Sequence, residues 1–142
     1  MKKAFTSTQE KEDSPTYSIP EQINESQYFA YLYRHFGKKI SVVKEMLCIF
    51  KYQIPVTIDK LENYLQSENY KGFYFEIHRI KSTINIIGLP VLLELAMIME
   101  RDSYEDTDVS MVTDYFKKFK KQVAEDLIII ENELERLNQL AN

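Results

Sequence analysis

The stretch "FEIHRIKSTINIIG", Phe75–Gly88, sets apolar residues and polar residues in register with a helix. Each helical residue advances about 100° around the axis. On that wheel Phe73, Ile77, Ile80, Ile84 and Ile87 share a sector of roughly 80°, the width of a core-facing stripe. His78, one of only 2 histidines in the chain, lies about 140° from the centre of that sector. Lys71, Tyr74, Lys81, Ser82 and Asn85 fall within about 60° of it. The spacing therefore predicts a helix that buries its isoleucines and presents His78 to the outside.

Helical periodicity extends from Ile23 onward, and no segment shows the sustained apolar/polar alternation of a half-buried strand. Gly37 suits the end of a first helix over Glu25–Phe36. A second is expected over Lys39–Gln53, with Ile40, Val43, Leu47 and Phe50 on one face. Pro55 suits the first turn of a third, running to Ser67 with Ile58, Leu61 and Leu65. Asn69 can cap a fourth that stops at Gly88. Pro90 opens a fifth to Arg101, and "DSYEDTD", Asp102–Asp108, reads as an acidic loop. The last helix, Val109–Leu140, carries Val112, Phe116, Phe119, Val123, Leu127, Ile130, Leu134 and Leu137 in alternating i+3 and i+4 steps. Short connections favour antiparallel neighbours. The expected fold is all-α: an up-and-down four-helix bundle with an additional short N-terminal helix or helices and a long C-terminal helix.

Composition supports one globular domain. The chain has 142 residues, of which 44% are hydrophobic and 13% aromatic, and its 3 Gly and 4 Pro leave room for long helices. Residues 1–21 are polar, carry Pro15 and Pro20, and read as a flexible tail ahead of a helical domain over 22–142. A net charge of −4 argues against nucleic acid as the main partner, because phosphate backbones call for a basic surface. The lone Cys48 rules out an internal disulfide and fits a reducing compartment. The start "MKKAFTSTQEKEDSP" lacks the apolar run of a signal peptide. "IIGLPVLLELAMIM" is too short for a membrane span and is interrupted by Pro90 and Glu94. A cytoplasmic protein with no membrane association is expected.

The polar face around His78 holds specific chemistry. A neutral imidazole is a competent nucleophile near neutral pH. Lys81, one turn on, can offer positive charge to an incoming anion. Ser82 is small and leaves room for close approach. Phe75 and Ile86 flank the histidine off the core stripe, and apolar residues beside a polar centre mark a docking surface. Nucleophile, cation and gap suit attack on a phosphoryl group. Metal binding is not expected: His35 is distant in sequence, Cys48 stands alone, and no HExxH or CxxC is present. No phosphate-cradling glycine loop is present to hold ATP.

"HRIKSTINIIG", His78–Gly88, resembles the signature of histidine-containing phosphotransfer (HPt) domains: His, two variable residues, Lys, a small residue, a small or hydroxyl residue, and a Gly ten residues after the His. The matching positions are His78, Lys81, Ser82, Thr83 and Gly88. The resemblance covers roughly residues 23–139, including the helix order and the "GLPVLLELAMIME" segment. It implies a phosphorelay intermediate of two-component signalling, not an enzyme with kinase activity. Such a protein takes a phosphoryl group from a receiver-domain aspartate and passes it to another. His78 would be the phosphoacceptor, and Lys81 would stabilise the phosphoryl charge. Tyr74, Phe75, Ser82, Asn85 and Ile86 would face the partner. The implied partners are response-regulator receiver domains and a hybrid sensor histidine kinase, with the chain a monomer. It would need no cofactor, the Mg²⁺ belonging to the receiver. The sequence departs from the family pattern in three places. Ser82 stands where glycine is common, Ile77 where alanine is usual, and Asn85 one position early for a polar residue late in the motif.

Two other readings use the same residues. A histidine-kinase dimerisation helix usually has an acidic residue after its His and a Pro five residues on; here those positions are Arg79 and Thr83. A helical interaction module that kept the fold and lost phosphotransfer would need neither His78 nor Lys81.

Overall fold

The computed structural model describes residues 28–104 and 109–140. These form α1 (Ala30–Phe36), α2 (Ile40–Gln66), α3 (Tyr70–Ile87), α4 (Pro90–Tyr104) and α5 (Val109–Leu140), with no strand among the described residues. The polar tail and the Glu25–Gln27 start expected for the first helix lie outside the described residues. No described helix is long and apolar enough to cross a membrane.

The helix with the His78 motif ends where its sequence says it should. The Asn69 side chain accepts a hydrogen bond from the Gly72 N–H at 2.9 Å, an N-cap worth about 1 kcal/mol. Gly88 closes the other end in the left-handed conformation, φ 87°, where a side chain would be strained. Between the caps, Phe73, Ile77, Ile80, Ile84 and Ile87 are all buried. At roughly 2 kcal/mol each, that stripe outweighs the cap by an order of magnitude. Packing against neighbours therefore holds α3, and its caps set where it starts and stops.

α3 lies against α2 on one side and α4 on the other, and α5 packs on both α2 and α4, so the four longer helices close a ring. Phe50, Phe73, Phe116 and Phe119 lie in the core between them, with the Phe73 and Phe116 rings edge to face at 5.9 Å. Close approach of α3 to α2 depends on Gly72, where a Cβ would stand 2.5 Å from the Tyr64 ring. α1 packs on α2 and α3.

Three boundaries differ from the sequence expectation. The second and third expected helices are one 27-residue helix, α2, with Pro55 inside it. An interior proline removes one backbone hydrogen bond and costs about 3 kcal/mol. Here Ile54, Thr57 and Leu61 are buried on both sides of it, and one continuous helix keeps all three on the core face. The first helix starts only at Ala30, because Phe29 takes a left-handed conformation, φ 63°, that a helix cannot include. The expected acidic loop starts later than Asp102: Asp102–Tyr104 form the last turn of α4. The buried Ser103 hydroxyl donates to the Met99 carbonyl at 2.7 Å within that turn; residues 105–108 lie outside the described residues.

The α5 stripe is buried at every expected position except Leu127, which is half-buried. One turn of it buries Asp126 instead. That carboxylate accepts from Gln122 Nε2 at 2.9 Å and from the Tyr28 hydroxyl at 3.5 Å, while its Oδ2 has no hydrogen-bond partner. Burial pushes its pKa from an ordinary 3.8 up to about 6, against the pull of those two hydrogen bonds.

Candidate functional site

The stripe that anchors α3 fixes what the opposite face can do. Ile77 and Ile80 are fully buried, so the helix cannot roll, and His78 between them points outward with 59% of its side chain exposed. Ser82 and Asn85 are exposed beyond it, Lys81, Tyr74 and Ile86 are half-buried, and Phe75 is exposed.

The histidine is nevertheless held. Its Nδ1 is hydrogen-bonded to Oε2 of Glu100, which α4 brings alongside. The other carboxylate oxygen, Oε1, accepts from Lys81 Nζ at 2.6 Å. One carboxylate therefore bridges the two residues that the motif spaces one turn apart. Glu100 itself is only 15% exposed. Burial works to raise its pKa, but the hydrogen bonds from Lys81 and His78 and the positive charge of Lys81 outweigh that and hold it below the ordinary carboxyl value. An ionised carboxylate only accepts hydrogen bonds, so His78 Nδ1 carries the proton and donates it. In the neutral ring the lone pair is then on Nε2, and no hydrogen bond engages Nε2 among the described residues.

Aromatic rings complete the surroundings. The Tyr74 ring lies nearly parallel to the His78 imidazole, 20° between planes and 5.9 Å between centroids. Tyr74 also meets Phe75 at 5.3 Å and Tyr104 at 5.0 Å. This cluster walls a surface groove of about 520 Å³ lined by Asn69, Lys71, Tyr74, Phe75, Ser103 and Tyr104. The groove lies between the first turns of α3 and the end of α4, and Tyr74, which lines it, stands between it and the imidazole. Of the residues expected to face a partner, Tyr74 and Phe75 line this groove. Ser82 lies toward the other end of α3, its hydroxyl donating to the Arg79 carbonyl at 3.4 Å. Asn85 and Ile86 lie two turns further along α3 from His78.

Two participants escaped the sequence reading, Glu100 and Tyr104. Glu100 is 22 residues from His78, on another helix, and no local spacing links them. Tyr104 was expected in a loop; its place beside Tyr74 depends on α4 running one turn further. Among the described residues no group of three or more His, Cys, Asp or Glu is placed to hold a metal ion.

The arrangement offers a nucleophilic nitrogen on an otherwise anchored ring, a cation within one turn, and an open approach past aromatic walls. No family model matches the chain, and neither the curated proteins nor the solved structures yield a match.

Proposed function

We propose that the chain is a phosphohistidine carrier of the HPt type, an up-and-down four-helix bundle that relays phosphoryl groups between receiver domains in the cytoplasm. The observation that carries this reading is the exposed imidazole whose Nδ1 is occupied by Glu100 and whose Nε2 is free. In the proposed step, His78 Nε2 attacks the phosphorus of an aspartyl phosphate on the receiver. The Nε2–P bond forms as the P–O bond to the aspartate breaks, and the bond pair stays on the departing carboxylate. The receiver's Mg²⁺ balances charge on its own side, and Lys81 contributes the nearest cation on this one. Return of the group to a second aspartate is the same step reversed. Tyr74, Phe75 and Ser82 form the surface over which the receiver closes.

The test is a receiver domain charged with acetyl phosphate and mixed with the full chain. Phosphate that is acid-labile and base-stable should appear on wild type and be absent from His78→Gln. Equal labelling of the two would refute the assignment and favour an interaction module without phosphotransfer.

A further inference from the structure

The outward face of α2 carries a pattern that the His78 site does not use. Ile49, Tyr52 and Val56 are 45%, 72% and 55% exposed. At about 100° per residue they share a sector of roughly 60°, about 160° from the centre of the core stripe of Val43, Leu47, Phe50, Ile54 and Leu61. Such a stripe contributes nothing to the core of its own chain. Contiguous large apolar side chains left in water mark a surface that another body covers. Glu45 and Lys60, both exposed, continue the same stripe at its two ends. It therefore runs from an acid, through three apolar residues, to a base.

The spacing of the stripe is symmetric about a point between Tyr52 and Gln53. Ile49 and Val56 are equally far from that point, and so are Glu45 and Lys60. Laid antiparallel on a second copy of itself, α2 sets Ile49 against the partner's Val56 and Glu45 against the partner's Lys60. Tyr52 then meets the partner's exposed Gln53 beside the axis. A two-fold interface requires each patch to be its own complement. A face made for an unrelated protein has no such requirement.

We propose that this face docks a second copy of the chain, α2 pairing antiparallel with α2 around a two-fold axis between Tyr52 and Gln53. The inference is independent of the phosphocarrier reading, and it departs from the monomer that the family resemblance implies. From Glu45 to Lys60 the contact is about 22 Å long at 1.5 Å per residue. A single helix-on-helix contact of that length belongs to the small, transient class of interfaces, so the dimer exchanges with monomer. The apolar centre, doubled by symmetry, supplies the attraction, and the charged ends set direction. Parallel pairing would bring Glu45 against Glu45 and Lys60 against Lys60, which disfavours it. The dimer leaves His78 open. Arg79 marks the α2 side of α3 by donating to the Thr57 hydroxyl at 3.2 Å, whereas Glu100 holds His78 on the α4 side.

The test is sedimentation velocity of the full chain over a wide concentration range, with circular dichroism and melting temperature as controls on the fold. Wild type should pass reversibly from monomer to dimer as concentration rises. Val56→Asp should weaken association roughly 100-fold or more, because each substitution enters the interface twice. Its fold should be unchanged, since the side chain is exposed. Glu45→Lys and Lys60→Glu, each alone, oppose like charges and should weaken self-association about 10-fold. The two single variants mixed together restore opposite charges in both pairs and should associate as wild type does. The double variant Glu45→Lys/Lys60→Glu should do the same by itself. A wild type that stays monomeric at its highest soluble concentration would overturn the proposal and leave the stripe to a different partner. A dimer that Val56→Asp leaves intact would overturn it by placing the contact elsewhere. A dimer unmoved by the single charge variants, or not regained in their mixture, would overturn the antiparallel pairing.

Discussion

The backbone N–H of Phe29 donates to the carbonyl of Gly88 at 2.9 Å, tying the entry to α1 to the residue that caps the His78 helix. Both residues are left-handed, φ 63° and 87°, and a Cβ on Gly88 would approach the Phe29 backbone at 3.0–3.1 Å. Gly88→Ala therefore meets backbone strain of about 1–2 kcal/mol and a crowded neighbour that cannot swing away. We expect a stability loss of about 2 kcal/mol or more in urea unfolding. A loss below about 0.5 kcal/mol would show that this junction is loose.

Asp126 gives the fold a specific pH signature. Its pKa in the folded chain is raised, so the native state binds its proton more tightly than the unfolded state does. The resulting stability is fully present below about pH 4 and is lost as pH rises through about 6. A shift from 3.8 to about 6 corresponds to about 3 kcal/mol. Asp126→Asn, whose amide oxygen can still accept from Gln122 and Tyr28, should be more stable than wild type at pH 7.5 and lose that advantage by pH 4.5. Urea midpoints of both proteins at the two pH values measure the difference. Parallel pH profiles would show that Asp126 is hydrated in solution.

Ser82 lies one turn beyond His78 and is exposed. Its hydroxyl donates to the Arg79 carbonyl in its own helix. Ser82→Arg should leave the circular dichroism spectrum and melting temperature nearly unchanged, because the side chain points away from the core. Transfer from a charged receiver should slow by an order of magnitude or more, as the guanidinium occupies the space a partner needs. Unimpaired transfer would move the docking surface elsewhere, with the aromatic groove at Tyr74, Phe75 and Tyr104 as the next place to look.

The parts of this molecule that follow from local rules were legible in its sequence. Asn69 and Gly88 mark the ends of α3 through cap chemistry that depends on a few neighbouring residues. The isoleucine spacing places the core face, and with it the outward face of His78. Pro55 was misleading because the local rule, that proline begins helices, was overruled by burial of Ile54 and Thr57 on either side of it. Glu100 was invisible for a different reason. Its significance comes from the lateral packing of α4 on α3, and a sequence read one helix at a time does not contain that registry. Asp126 satisfies the same i+3/i+4 spacing between Val123 and Ile130 as the stripe around it, but a carboxylate is not expected at a core position unless it is paired.

Pro55 also bears on how the chain reaches its fold. In the finished molecule α2 is a single rod of 27 residues, about 40 Å long at 1.5 Å per residue. Proline has no amide hydrogen, so the Lys51 carbonyl has no donor four residues on and the hydrogen-bond ladder has a missing rung there. The two halves can thus wind independently. The second half, Pro55–Gln66, finds α3 across a turn of only three residues, Ser67–Asn69, a nearby partner available early in synthesis. α2 also packs on α5, the last of these helices in chain order. Lys51 itself reaches Glu131 at 2.7 Å, 80 positions along the chain. The second half meets α5 as well, Glu62 accepting from Lys120 at 3.5 Å, so the same late partner spans the rod on both sides of its missing rung.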